Sequence, residues 1–177
     1  KFRQPYIARQ VRVTIPIHLA PLSWSSFQLV EGPAAQSDGI FQNGVIDTPF
    51  VTVSVDEGIT VYDKTTNEAY EDFIQFEDRG DIGNEYIYFQ PKGTEPIYAE
   101  LTAYEVLENN ARYAKILLKH DLTIPVSADE QLDAEQRGII EFMNRKASRS
   151  EELTTIPLET EMTIFVDDPQ IRFKTRF

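Results

Sequence analysis

The 177-residue sequence predicts an all-β protein, a β-sandwich carrying one short charged excursion that is helical or irregular. Two observations carry this expectation. Apolar residues alternate with polar ones in run after run, the period of a strand buried on one face. The runs are short and joined by Gly, Asn, Asp and Pro turns, where a βαβ protein would carry long amphipathic helices. The length suffices to bury a core within one domain.

Taken in order, residues 7–17 (IARQVRVTIPI) bring Val11, Val13, Ile15 and Ile17 two apart, which predicts a strand. In residues 19–30 (LAPLSWSSFQLV), Pro21 breaks the regularity, and Trp24 and Phe27 are expected in a core rather than as a sugar platform. Residues 31–47 are rich in turn formers, including Asn43-Gly44, the strongest short hairpin signal. That looser stretch is the best place for a sub-boundary. Residues 1–45 read as incoming strands with a linker-like segment and 46–177 as the main sandwich, together a single domain excised from a larger enzyme.

Strands are expected at 50–55 and 59–62 around Asp56-Glu57-Gly58, where Gly58 can take positive φ, with a tight turn at 64–67. Residues 73–76 lead into an acidic loop and residues 86–89 lead out of it as a strand. Residues 97–126 read as two long strands about Asn109-Asn110, the second bulged or bent because Pro125 cannot donate to a central ladder. Across 127–152, Leu132, Ile139, Ile140 and Met143 fall at helical spacing, while Gly138 weakens a helix by roughly 1 kcal/mol against alanine. A helix and a charged surface excursion both remain open there. Two more strands follow around Asp167-Asp168-Pro169.

Composition excludes several chemistries. A net charge of −12 disfavours nucleic acid and anionic membrane surfaces, which demand a basic footprint. Without cysteine there is no disulfide framework and no zinc–thiolate site. The two histidines, His18 and His120, lie far apart and are expected as strand residues with satisfied rings, so a metal site would need oxygen ligands. No apolar run is long enough to span a membrane, and the first residues lack a signal-peptide core. The chain therefore reads as a cytoplasmic piece of something longer. No glycine-rich phosphate cradle and no G-x-S-x-G elbow is present.

The segment with chemical promise is 77–91, EDRGDIGNEYIYFQP. It reads in three ways. It is a polar strand connection, with Asp78 and Asn84 capping backbone N–H groups. It is a calcium loop using Asp78, Asp81, Asn84 and Glu85, though the spacing departs from the EF-hand. Or it is a wall for carbohydrate, with carboxylate and amide groups for hydroxyls and aromatic faces for C–H groups. Alternation along a strand would put Tyr86 and Tyr88 on one face and Ile87 and Phe89, toward the core, on the other.

Residues 46–91, with Asp63-Lys64-Thr65-Thr66 followed by the acid- and glycine-rich run from Glu77 to Pro91, resemble the non-catalytic β region of the family 38 glycoside hydrolases, the class II α-mannosidases, in their bacterial form. Residues 15–30 (IPIHLAPLSWSSFQLV) and 154–165 (TTIPLETEMTIF) resemble neighbouring segments of that region. Asn84 stands where the family commonly has Asp, so the acceptor is kept and a charge is lost. The resemblance implies part of a galactose-mutarotase-like supersandwich, with no catalytic residue, metal or cofactor of its own. It implies zinc and an aspartate nucleophile in an N-terminal catalytic domain of the same polypeptide, and a mannose-containing oligosaccharide as the other partner. By position Tyr86 matches an aromatic that lines the mannose pocket, with Asp81, Asn84 and Tyr88 as its substrate-binding neighbours. The fragment alone is expected to be inactive. The alternatives are a free-standing carbohydrate-binding or adhesion module, and an interdomain scaffold without ligand contact.

Overall fold

A computed structural model describes residues 15, 17, 19–28, 30, 32 and 38–177. The strand expected at 7–17 and His18 fall mostly outside these residues. The chain divides into two compact units, 1–35 and 36–177. In the first, Ser23 closes a turn, its N–H and Oγ both donating to the Ala20 carbonyl at 3.2 and 2.6 Å. Trp24 and Phe27 are not core residues: they are 86% and 61% exposed. Around them residues 23–28 form neither strand nor helix, so no sheet face is made there to bury them.

The second unit opens with a five-stranded antiparallel sheet, β1 (Phe41–Gln42), β2 (Val45–Asp47), β3 (Val51–Val55), β4 (Ile59–Asp63) and β5 (Glu68–Tyr70), arranged in chain order. Asn43 and Gly44, at φ 51° and 81°, join β1 to β2 and set Phe41 opposite Ile46. Two successive positive φ values make the turn whose twist suits a hairpin, and Asn-Gly adopts it at least cost. Between β4 and β5 the Asp63 carboxylate accepts the Thr65 N–H at 2.7 Å, and Asn67 takes the left-handed conformation. Gly58 does not take the positive φ expected of it. The β3–β4 connection closes with Asp56 N–H donating to the Gly58 carbonyl at 3.2 Å, and a Cβ at Gly58 would meet the Asp72 carboxylate at 3.1 Å.

After a two-stranded ribbon of β6 (Glu77–Asp78) and β7 (Ile97–Tyr98) comes the second sheet, built from β8 (Glu100–Asn109), β9 (Tyr113–Pro125), β10 (Leu153–Phe165) and β11 (Ile171–Arg176). Its order is β11-β10-β9-β8, all antiparallel. The irregularities lie on β8, between Leu101 and Ala103 and between Val106 and Glu108, rather than on β9. β9 pairs with β10 without a break because Pro125 is its last residue, opposite Leu153. Bulges on β8 instead distort an edge strand, where a disrupted ladder costs least.

The two sheets face each other across an apolar core. Ile46, Val51, Val53, Val55, Ile59 and Val61 come from the first, and Ala114, Ile116, Leu118, Met162 and Ile164 from the second. Buried residues alternate with half-buried or exposed ones along β3 and along β9 from Tyr113 to Thr123, the sequence period made physical. The sheets with their turns form the all-β sandwich expected.

Residues 127–152 hold one helix, α1 (Glu130–Arg137), followed by a 3₁₀ turn at Phe142–Asn144. Asp129 caps α1 by accepting the Gln131 N–H at 3.2 Å. Gly138 ends the helix instead of weakening its middle: Ile139 adopts φ 54°, and Ile140 N–H returns to the Glu135 carbonyl at 2.9 Å. Ile139, Ile140 and Met143 therefore leave the helical stripe that their spacing suggests. No helix among the described residues is long and apolar enough to cross a membrane.

Candidate functional site

The acidic loop is folded by its own side chains. Asp81 Oδ1 accepts the N–H groups of Gly83 at 2.7 Å and Phe89 at 3.0 Å. Asn84 Oδ1 accepts those of Tyr86 and Ile87, each at 2.9 Å. Backbone bonds from Ile82 N–H to Phe89 O (2.8 Å) and from Asn84 N–H to Ile87 O (3.0 Å) complete a closed tip. Residues 86–89 are consequently not a strand. The short polar side chains take the N–H groups that a ladder would have used, the competition that favours Asx turns over sheet.

Without a strand, the expected alternation of faces disappears. Ile87 does not enter the core but is half exposed; Ile82 is the apolar residue buried beneath the loop. Tyr86 and Tyr88 both face outward, Tyr86 at 86% exposure. The calcium reading is undone by geometry. Asp78 pairs with Arg149, while Asp81 and Asn84 turn their acceptors inward to the backbone. No group of three His, Asp or Glu residues is gathered to hold a metal among the described residues.

The loop is mounted on the charged excursion, which the sequence had suggested was a solvated face. The Arg145 guanidinium, buried to 7% exposure, donates through Nη1 to the carbonyls of Ile82 and Gly83, the latter at 3.2 Å. Its Nε reaches the Ile140 carbonyl at 3.4 Å, and its plane lies over the Phe142 ring, 4.5 Å from the centroid. Phe142 in turn stacks on Phe89. Arg149 pairs with Asp78 at the base of the loop, and Lys92 Nζ donates to the Met143 carbonyl at 2.8 Å.

The excursion is itself braced by buried acid. Glu135 accepts the N–H groups of Lys146 at 2.8 Å and Ala147 at 3.2 Å, and Asp129 Oδ2 accepts that of Ser148 at 2.9 Å. Desolvation raises the Glu135 pKa, but those N–H donors, Gln131 and the nearby Arg145 charge hold it below the ordinary glutamate value. None of Ile82, Glu135, Arg145 or Arg149 is singled out by local pattern; the contacts that tie Arg145 and Arg149 to the loop, and Glu135 to Lys146, span 11 or more residues. Between the loop and the excursion lies an open depression of about 650 Å³, bordered by Asn84, Glu85, Ile140, Phe142, Met143 and Arg145 among others. Its border sets the charged side chains of Glu85 and Arg145 beside the apolar ones of Ile140, Phe142 and Met143.

The glycosyl hydrolases family 38 C-terminal domain 1 profile matches residues 1–31. A Halalkalibacterium halodurans protein with the provisional name mannosylglycerate hydrolase is 31% identical over 179 aligned positions, covering 92% of this chain. The crystal structure of an α-mannosidase from Enterococcus faecalis V583 superposes with a TM-score of 0.72 at 32% identity over 80% of the chain. This chain is similar to part of the C-terminal region of family 38 glycosyl hydrolases. A second Enterococcus faecalis structure, of a family 38 glycosyl hydrolase, gives a TM-score of 0.74 at 31% identity over 82% of the chain. The chain spans 19%, 17% and 18% of these three proteins, under a fifth of each. An alignment over 92% of the chain necessarily includes most of 46–91, so the likeness to the Halalkalibacterium halodurans protein extends well past residues 1–31.

Proposed function

We propose that this chain is a non-catalytic β domain of an α-mannosidase-type glycoside hydrolase. It supports a catalytic domain elsewhere in the polypeptide and lends loop 77–91 to a mannoside-binding pocket. Zinc and the nucleophilic carboxylate belong to that other domain; this chain contributes a rim. The relatives named for a mannosylglycerate and for an α-mannoside share a mannosyl group, which favours that substrate class.

The observation that carries this reading is Tyr86. It stands 86% exposed at the tip of a loop whose backbone is fixed by Asp81 and Asn84. A phenol carried outward on a fixed backbone offers a face for sugar C–H groups and a hydroxyl for hydrogen bonding, with little backbone ordering entropy left to lose on binding. Asp81 and Asn84 act by shaping the loop. Tyr88, beside it, widens the aromatic surface.

In the longer polypeptide that carries this chain, Tyr86→Ala should raise KM for an α-mannoside about tenfold, with Tyr86→Phe closer to the parent. Unchanged kinetics in Tyr86→Ala would sink the pocket role. Specific glycan capture by the 177-residue chain alone would instead favour a free-standing binding module.

A further inference from the structure

We infer that Arg145, which also borders the depression beside the loop, is the positioning residue of the substrate-edge loop and acts on ligand through the placement of Tyr86. The inference rests on the function proposed above and extends it to a residue 59 positions away in sequence.

The loop's donors and acceptors are satisfied asymmetrically. Its N–H groups are taken inside by Asp81, Asn84 and the backbone, but the carbonyls of Ile82 and Gly83 point away from the tip toward Arg145. The guanidinium serves both carbonyls through Nη1 while its Nε reaches the Ile140 carbonyl, a planar spread of donors that a lysine ammonium does not reproduce. Arg145 makes no ion pair among the described residues, despite its burial. Burying a cation to hold two carbonyls is a costly way to close a turn, and this turn is already closed by Asp81 and Asn84. What the guanidinium adds is a fixed placement of the whole tip relative to the excursion. That excursion is anchored by Glu135 and Asp129, so the bracing runs unbroken from α1 to Arg145 to Gly83. Three residues beyond Gly83 stands Tyr86.

The test couples hydrogen exchange with a kinetic cycle in the longer polypeptide. Arg145→Ala, which removes the charge-assisted hydrogen bonds to the Ile82 and Gly83 carbonyls, should speed exchange of the Gly83, Ile87 and Phe89 amides by about tenfold or more, while core amides of β3 and β9 stay protected. KM for a mannoside should rise by a similar factor with kcat kept, and Arg145→Lys should recover part of it. Added to Tyr86→Ala, Arg145→Ala should raise KM no further, which a merely structural role would not produce. Unaltered loop exchange would overturn the inference, as would an Arg145 effect undiminished in the Tyr86→Ala background. A loosened loop alongside an inert Tyr86→Ala would discard the pocket role itself, and Arg145's action on substrate with it.

Discussion

His120 shows what a single buried polar atom does in this sandwich. It sits on β9 between Leu101 and Leu158 of the flanking strands, with the Phe76 ring edge-on at 5.4 Å. Its Nδ1 is buried without a hydrogen-bond partner among the described residues, so the satisfied ring that a strand histidine would be expected to have is not found there. Leucine neighbours above and below supply no acceptor. Burial pushes its pKa below the ordinary histidine value, and no charged group contributes to the shift. The unfolded histidine, titrating near about 6.5, therefore takes up a proton before the folded one does. Its contribution to stability is complete above that value and is lost as pH falls from there through the folded pKa. Thermal unfolding followed from pH 7.5 to 5 should show a falling Tm, with a shallower slope in His120→Leu. An identical slope in the variant would mean that carboxylates elsewhere account for the whole effect.

Among the elements, the turns were the most legible and the loop the least. Asn43-Gly44, the Asp63–Asn67 turn and the breaks at Asn110 and Asp168 stand where their residue types put them, because each is decided by a few local torsions and side-chain acceptors. Gly44→Ala tests this. At φ 81°, with the Val55 carbonyl 3.2 Å from the new Cβ, it should cost about 1–2 kcal/mol in urea unfolding. A neutral result would show that the hairpin shifts to another turn type. In contrast, alternation at 86–89 suggested a strand that Asp81 and Asn84 pre-empt, and a charged run at 127–152 suggested a solvated face that supplies the loop's mount. Local pattern registers side-chain type; it does not register that a carboxylate is turned inward or that an arginine is buried.

At the scale of the molecule, stability comes from two sheet faces meeting. Ile116 on β9 is fully buried against residues of the opposite sheet, so Ile116→Ala should destabilise the sandwich by about 3 kcal/mol, measured as a lower denaturant midpoint with unchanged slope. A much smaller loss would mean that the sheets close over the cavity. The alternation along β3, β4, β9 and β10 that makes this core possible was present in the chain from the start, and so were the turns that separate the strands. Period and turn chemistry are short-range properties, and they settled the all-β class and most strand positions, whereas Tyr86, expected on a strand, stands on a loop closed by Asp81 and Asn84. Only the folded chain decided which strands became neighbours, that Ile82 rather than Ile87 went inside, and that Arg145 and Arg149 hold the loop from more than sixty residues away. Contacts across that separation form only once the backbone has turned back on itself, so no window of neighbouring residues contains them.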